Sequence, residues 1–227
     1  VTLKQRETNV KNRFSAPVTD LIDYKKQAPY SFSMLNPAAG LLNLRWFGMA
    51  YGSDDPKFQT YVQFLDSVFT KLDKNKVANL IIDVRNNPGG SDPNFEQPVM
   101  YLTDKPFKEN VKATIIFDPN FLPFEKYFWG VSTSERMDSI TKKMGKEYLK
   151  DVYPVFKNNV SVQNQKYNPV YYPKSPRFKG KIYLLINENV ASAASHFASL
   201  VKAYVENVTI VGVETVGGYY RHNGHSP

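Results

Sequence analysis

The 227-residue chain contains no cysteine, only three histidines and no long apolar run. Without cysteine, a protein has no disulfide, no thiolate nucleophile and no metal site built from thiolates. A transmembrane helix requires roughly 18 consecutive apolar residues, so we expect no membrane span. The first residues are polar and lack the apolar core of a signal peptide. We therefore expect that any targeting peptide has been removed or never existed.

The chain is basic, with a net charge of +8. A basic surplus can indicate an anionic partner. Here the lysines are scattered, and only short stretches such as Lys174 to Lys181 are locally dense. Because no recognition motif accompanies the charge, we predict a solvated basic surface and no nucleic-acid partner.

Residues 1–39 are polar and interrupted by prolines, which predicts a peripheral N-terminal segment without a core element. Residues 40–227 then begin with a predicted strand over Leu41–Phe47. Apolar residues at helical spacing predict a helix over Lys57–Leu72, with Asp55 as its cap and Pro56 at its first position. An apolar strand over Leu80–Val84 closes a β-α-β unit. Such a crossover favours parallel strands and an α/β fold.

The rest of the chain alternates further elements with one long insertion. We predict a helix over Phe95–Leu102 and a strand over Ala113–Phe117. The insertion, about residues 118–179, is rich in aromatics and prolines and contains an amphipathic helical pattern within Ser134–Val155. It could be a lid, a wall of a substrate cleft or a packing subdomain. Three final elements are predicted after it: strand Ile182–Ile186, helix Ser192–Val205 and strand Val208–Gly212.

Two strands end in turns that could carry chemistry. The first ends in Gly89-Gly90, whose missing side chains leave backbone N–H groups accessible to a ligand. The second leads to Ser192 at the head of an apolar helix, where first-turn N–H groups lack intrahelical partners. If the two turns are adjacent, they supply a serine nucleophile and an oxyanion hole. The alternative is that Ser192 only caps its helix.

Three motifs in order, LIIDVRNNPGG, LLINENVASAAS and VGVETVGG, resemble the C-terminal processing (tail-specific) serine peptidases. That family includes tricorn-type and retinoid-binding-protein-like members. The resemblance implies a fold like that of Clp protease and crotonase, a spiral of β-β-α units. It also implies Ser192 as nucleophile, with the oxyanion held by the backbone N–H groups of Ala193 and of Gly89 or Gly90. Asp83 and Arg85 are expected to anchor the first turn.

The general base departs from the family pattern. The processing proteases place a lysine after the last glycine of the third motif, whereas this chain has Tyr219. The Ser/Lys dyad is therefore missing, which places the chain closer to the tricorn and retinoid-binding-protein-like branch. Tricorn-type members use a histidine on the first strand, but residues 42–45 contain none. His222 and His225 follow the Gly-Gly turn and are the candidate bases, since a neutral imidazole is a natural general base.

His196 lies one helical turn after Ser192, a spacing more typical of a structural histidine than of an aligned base. His222 and His225 also resemble a metal-binding pair, but without a nearby carboxylate they form a weak ligand set. We predict no metal and no cofactor. Family domains usually continue beyond the third motif, so further strands are expected after Pro227.

The leading interpretation is a serine endopeptidase that acts on peptides or proteins, at or near a C-terminus, through a Ser192 acyl-enzyme. The first alternative is a non-catalytic homologue that has lost its base and binds a peptide or an apolar ligand. A crotonase-like acyl enzyme is a third alternative, although a serine-centred motif favours acyl transfer through serine. Relatives in bacteria commonly act outside the cytoplasm, so we expect an extracytoplasmic location in a bacterium. The oligomeric state stays open.

Overall fold

The computed structural model describes residues 28–116, 118 and 139–217. Eight strands, four α-helices and one short 3-10 helix (Gln165–Tyr167) lie within these residues. The strands are β1 (Tyr30–Asn36), β2 (Ala39–Leu44), β3 (Asn79–Asp83), β4 (Thr114–Ile115), β5 (Val155–Lys157), β6 (Val160–Val162), β7 (Lys181–Ile186) and β8 (Val208–Gly212). The helices are α1 (Pro56–Lys74), α2 (Glu96–Met100), α3 (Ser139–Val152) and α4 (Ala193–Tyr204).

A five-stranded sheet in the order β1-β2-β3-β7-β8 forms the centre of the fold. The pairs β2-β3, β3-β7 and β7-β8 are parallel, and only β1-β2 is antiparallel. This confirms the predicted α/β class with a mainly parallel sheet. The spiral of β-β-α units stays a prediction.

Helix α1 forms because its apolar residues recur at helical spacing and its start is well capped. The Asp55 carboxylate accepts a hydrogen bond from the Lys57 backbone N–H at 2.9 Å, and Pro56 occupies the first turn. Both features confirm the prediction. The buried face of the helix consists of Phe58, Tyr61, Leu65, Val68, Phe69 and Leu72. Its side chains belong to the same core as those of β2, β3 and β7.

Strand β1 lies inside the segment that we predict to be peripheral and without a core element. It pairs with β2 from Tyr30↔Leu44 to Asn36↔Ala39. The ring of Tyr30 lies 4.5 Å from that of Phe64 on α1. As an edge strand it buries only one side, so its sequence lacks the continuous apolar run of β3. The prediction for residues 1–39 therefore misses this strand.

A second, antiparallel sheet in the order β4-β6-β5 joins a strand just before the insertion to two strands within it. Helix α3 occupies residues 139–152, within the range predicted for an amphipathic helix. The described strands here are two or three residues long, too short to leave an alternating pattern. Among the residues described, no helix is long and apolar enough to cross a membrane.

Candidate active site

The two predicted turns follow neighbouring parallel strands. Strand β3 pairs with β7 from Asn79↔Lys181 to Asp83↔Leu185, so both strands end at the same edge of the sheet. The turns are joined directly, because the Ala191 backbone N–H donates to the Asn87 carbonyl at 3.0 Å. Asn86 and Asn187 also exchange hydrogen bonds: the Asn86 N–H donates to Asn187 Oδ1 at 2.9 Å, and Asn187 Nδ2 donates to Asn86 Oδ1 at 2.8 Å.

Gly89 packs directly against the serine turn. A Cβ placed on Gly89 would lie 2.7 Å from the Ser192 Cβ and 3.0 Å from the Ala193 backbone nitrogen. Gly89 also has φ = +107°, a conformation that L side chains rarely adopt. Glycine is therefore required here by its backbone and by the closeness of Ser192. The predicted meeting of the two turns is confirmed.

Ser192 occupies a strained position at the strand-to-helix turn. Its backbone has φ = 49° and ψ = −127°, and non-glycine residues with positive φ concentrate at functional sites. The residue is exposed, and its side chain makes no capping hydrogen bond to α4. Capping therefore does not account for this serine. Its hydroxyl is accessible to a ligand.

Two backbone N–H groups beside Ser192 are available. The Phe47 N–H donates to the Gly89 carbonyl at 2.8 Å, and the Ser91 N–H donates to the Phe47 carbonyl at 3.2 Å. In such a parallel bridge, the N–H of the intervening Gly90 points away from Phe47. Ala193 is the first residue of α4, so its N–H has no intrahelical acceptor. Neither group donates a hydrogen bond to any residue that the structure describes.

The two glycines differ in their hydrogen bonding. Gly89 is buried, and its N–H donates to Asn87 Oδ1 at 2.8 Å. Gly90 is exposed. A Cβ on Gly90 would lie 2.0 Å from the Phe47 carbonyl carbon, so this glycine permits the close approach of two backbones. Of the pair, only Gly90 has an N–H without an acceptor in the part of the chain that the structure describes.

The third motif also reaches Ser192. A Cβ on Gly217 would lie 2.2 Å from Ser195 Oγ and 3.3 Å from the Ser192 backbone nitrogen. The Val216 N–H donates to the Val190 carbonyl at 3.1 Å, which holds this segment against the serine turn. The two candidate bases, His222 and His225, lie outside the described residues.

His196 is a buried core histidine. Its Nε2 lies 3.2 Å from the Glu109 carbonyl oxygen, and its Nδ1 lies 4.0 Å from Glu109 Oε2. The ring centroid is 5.0 Å from that of Phe95. Its backbone N–H donates to the Ser192 carbonyl at 3.0 Å as part of the helix. Both ring nitrogens therefore face Glu109, in agreement with the structural role predicted for this residue.

The expected anchor of the first turn is present. Arg85 Nη2 donates to Asp83 Oδ2 at 2.7 Å, and Arg85 Nε donates to Asp83 Oδ1 at 3.0 Å. The Arg85 backbone N–H donates to the same Oδ1 at 3.0 Å. The side-chain hydrogen bond to Asp83 raises the pKa of Arg85 above its usual value. These hydrogen bonds therefore hold the backbone where β3 ends and the turn begins.

Three carboxyl groups from the segment that follows the glycine turn lie close together. Oxygen atoms of Asp92, Glu96 and Glu109 lie within 4.8 Å of one another, and the Tyr171 hydroxyl donates to Glu96 Oε1 at 2.9 Å. Glu96 is fully buried. Its burial, and then the nearby Glu109 and Asp92 carboxylates, raise the pKa of Glu96 well above its usual range. Carboxylates so placed can hold a hard cation or share a proton.

Comparison with known proteins identifies the family. The model of "Peptidase family S41" matches residues 40–222. The chain belongs to peptidase family S41. The comparison with curated proteins gave no match.

Solved structures share the fold of this S41 chain. A candidate peptidase from Parabacteroides merdae has a TM-score of 0.52 at 17% identity, over 92% of this chain and 49% of its own. The mature form of CPAF complexed with lactacystin has a TM-score of 0.51 at 19% identity, over 78% of this chain and 38% of its own. The S41 chain thus spans about half or less of the length of these two structures.

The structure brings the predicted residues Ser192 and Gly89 together, and it adds two groups that the sequence did not predict. Asn87 carries a sequence signal, since it lies in an Asn-Asn-Pro-Gly-Gly turn, yet nothing there shows which asparagine is buried. The carboxyl groups come from segments that are distant in sequence from α4. Only the folded chain brings Glu96, Glu109 and Tyr171 together.

Proposed function

We propose that this S41 protein is a serine peptidase that cleaves protein or peptide substrates through a Ser192 acyl-enzyme. Family membership suggests serine peptidase activity. The observation that carries the proposal is the geometry of Ser192: an exposed hydroxyl, held at positive φ at the head of α4, beside the glycine turn after β3. A serine on a strained strand-to-helix turn presents its hydroxyl to an incoming carbonyl.

The oxyanion would be held by the backbone N–H groups of Gly90 and Ala193. Both belong to turns that contact Ser192, and neither is used by the described part of the chain. The sequence left Gly89 or Gly90 as the second donor, and of the two we propose Gly90, because the Gly89 N–H already donates to Asn87 Oδ1. Donors that are oriented before substrate arrives need no reorganisation when charge develops on the carbonyl oxygen.

The base would be His222, with His225 as the second candidate. The third motif holds Gly217 against Ser192 and Ser195, and His222 follows Gly217 by five residues in the sequence. His196 is a poor candidate because its ring contacts Glu109 and Phe95. A histidine base would favour the tricorn and retinoid-binding-protein-like branch over the Ser/Lys branch. We also propose a spiral crotonase-like fold and an extracytoplasmic location, on the family resemblance alone.

A fluorophosphonate probe tests this function, since it reacts only with an activated serine hydroxyl. We expect labelling of the full-length protein at Ser192 that is abolished in Ser192→Ala and greatly slowed in His222→Ala. The matched control is Ser53→Ala, which removes an exposed serine at the turn before α1 and should label normally. Absence of labelling at every pH from about 6 to about 9 would refute the peptidase proposal.

The second candidate function is a non-catalytic homologue that binds a peptide or an apolar ligand. It is favoured by one observation, the tyrosine at position 219 where the processing proteases have their lysine base. In that case Ser192 would remain unlabelled while the Gly90 and Ala193 amides held a peptide carboxylate. Isothermal titration with short peptides, with and without a free C-terminal carboxylate, separates the two functions.

A further inference from the structure

Asn87 uses all four of its hydrogen-bonding groups to join three separate parts of the chain. Its Nδ2 donates to the Leu44 carbonyl at 2.9 Å, at the end of β2. Its Oδ1 accepts from the Gly89 N–H at 2.8 Å. Its backbone N–H donates to the Val84 carbonyl and its carbonyl accepts from the Ala191 N–H, each at 3.0 Å. Asn87 is fully buried, so water cannot replace these partners.

The bond to Gly89 determines which amide faces the site. Because Oδ1 of Asn87 holds the Gly89 N–H inside the protein, the next peptide is turned so that the Gly90 N–H is left without an acceptor among the described residues. The bond to Ala191 fixes the residue immediately before Ser192. One side chain and its backbone thus orient both halves of the proposed oxyanion hole.

We propose that Asn87 is a positioning residue for catalysis, which sets the Gly90 N–H and the Ser192 turn at the distance the reaction requires. This inference rests on the peptidase function proposed above. Asn87 touches neither the substrate nor the reacting atoms; it acts through Gly89 and Ala191. Small displacements of preorganised groups reduce rates strongly, and loss of one oxyanion donor costs about 10² to 10³ in kcat.

The variant Asn87→Asp tests this role, because its effect depends on pH. In its neutral form the new carboxyl has the shape of the amide: its O–H can donate to the Leu44 carbonyl, and its C=O can accept from the Gly89 N–H. In its ionised form it has no donor and sets a negative charge against the Leu44 oxygen. Burial favours the neutral form. The substitution should therefore be tolerated at low pH and become harmful as pH rises.

The measurement is the rate of fluorophosphonate labelling at Ser192, taken as the ratio of N87D to wild type at each pH. We expect a ratio near one at about pH 5 and a decrease of about 10²-fold or more once the carboxyl ionises. Circular dichroism at the labelling temperature shows whether the variant is still folded, which separates positioning from unfolding. The matched control is Asn207→Asp, an exposed asparagine before β8 at the opposite end of the sheet, whose ratio should stay near one.

A ratio for folded N87D that stays near one at every pH, with wild type labelled normally, overturns the positioning role and leaves the peptidase function intact. Absence of labelling in wild type overturns both. If N87D does not fold at any pH, Asn87→Ser replaces it, since this shorter side chain cannot reach both Leu44 and Gly89. Folded N87S should label at least about tenfold more slowly than wild type without recovery at low pH, and equal labelling overturns the proposal.

Discussion

The buried carboxyl group of Glu96 makes the stability of the fold depend on pH. In the folded state Glu96 faces Asp92, Glu109 and the Tyr171 hydroxyl, and Glu109 Oε2 lies 4.0 Å from His196 Nδ1. Its raised pKa means that the folded protein keeps a proton on Glu96 where the unfolded chain releases it. Stability from this group is therefore complete below about pH 4.5 and is lost as pH rises towards the folded pKa.

Glu96→Gln removes this dependence while keeping the shape. The amide Nε2 can donate to the Glu109 carboxylate as the protonated acid does, and Oε1 can still accept from Tyr171. One proton held by the folded state and released on unfolding changes the free energy of unfolding by about 1.4 kcal/mol per pH unit. As pH rises above about 4.5, the ordinary pKa of Glu, the variant should therefore gain stability relative to wild type, by at most this amount per pH unit.

Urea denaturation followed by circular dichroism at several pH values measures this difference. Both proteins contain the same other titrating groups, so the difference between them reports position 96 together with its coupling to Asp92 and Glu109. Glu188→Gln, the same substitution at an exposed position, is the control and should follow wild type at every pH. Parallel pH profiles for wild type and Glu96→Gln would refute the reasoning and mean that Glu96 is ionised in the folded protein.

Two further predictions concern the packing of the site and of the core. Gly89→Ala places a Cβ 2.7 Å from the Ser192 Cβ and should slow Ser192 labelling by about tenfold or more. The control Gly52→Ala has a similar φ of +97° but no atom within 4 Å of its Cβ, so it should label at the wild-type rate. Equal effects of the two substitutions would mean that backbone strain alone matters. Leu65→Ala removes a fully buried side chain of α1 and should lower the free energy of unfolding by about 2 to 5 kcal/mol in urea titrations. A loss below about 1 kcal/mol would mean that α1 does not pack on the sheet.

Local patterns in the sequence determined the main elements. The spacing of apolar residues in α1, its cap at Asp55 and the apolar run of β3 act over a few residues and can be seen without the fold. The position of Ser192 at a helix head and of glycines after a strand also belongs to local sequence. The β-α-β order predicted a parallel sheet. It also predicted that the two turns meet, because neighbouring parallel strands end at the same edge of the sheet.

Tertiary structure decided the features that depend on distant partners. Edge strand β1 is stabilised by pairing with β2 and by the ring of Phe64, which its own sequence does not show. Which of the two glycines presents an N–H without an acceptor among the described residues depends on the hydrogen bond from the Gly89 N–H to the buried Asn87. The raised pKa of Glu96 requires burial and carboxylates brought from other segments. Burial, hydrogen bonding and electrostatic coupling between distant residues arise only when the chain is folded. They therefore cannot be predicted from the order of residues alone.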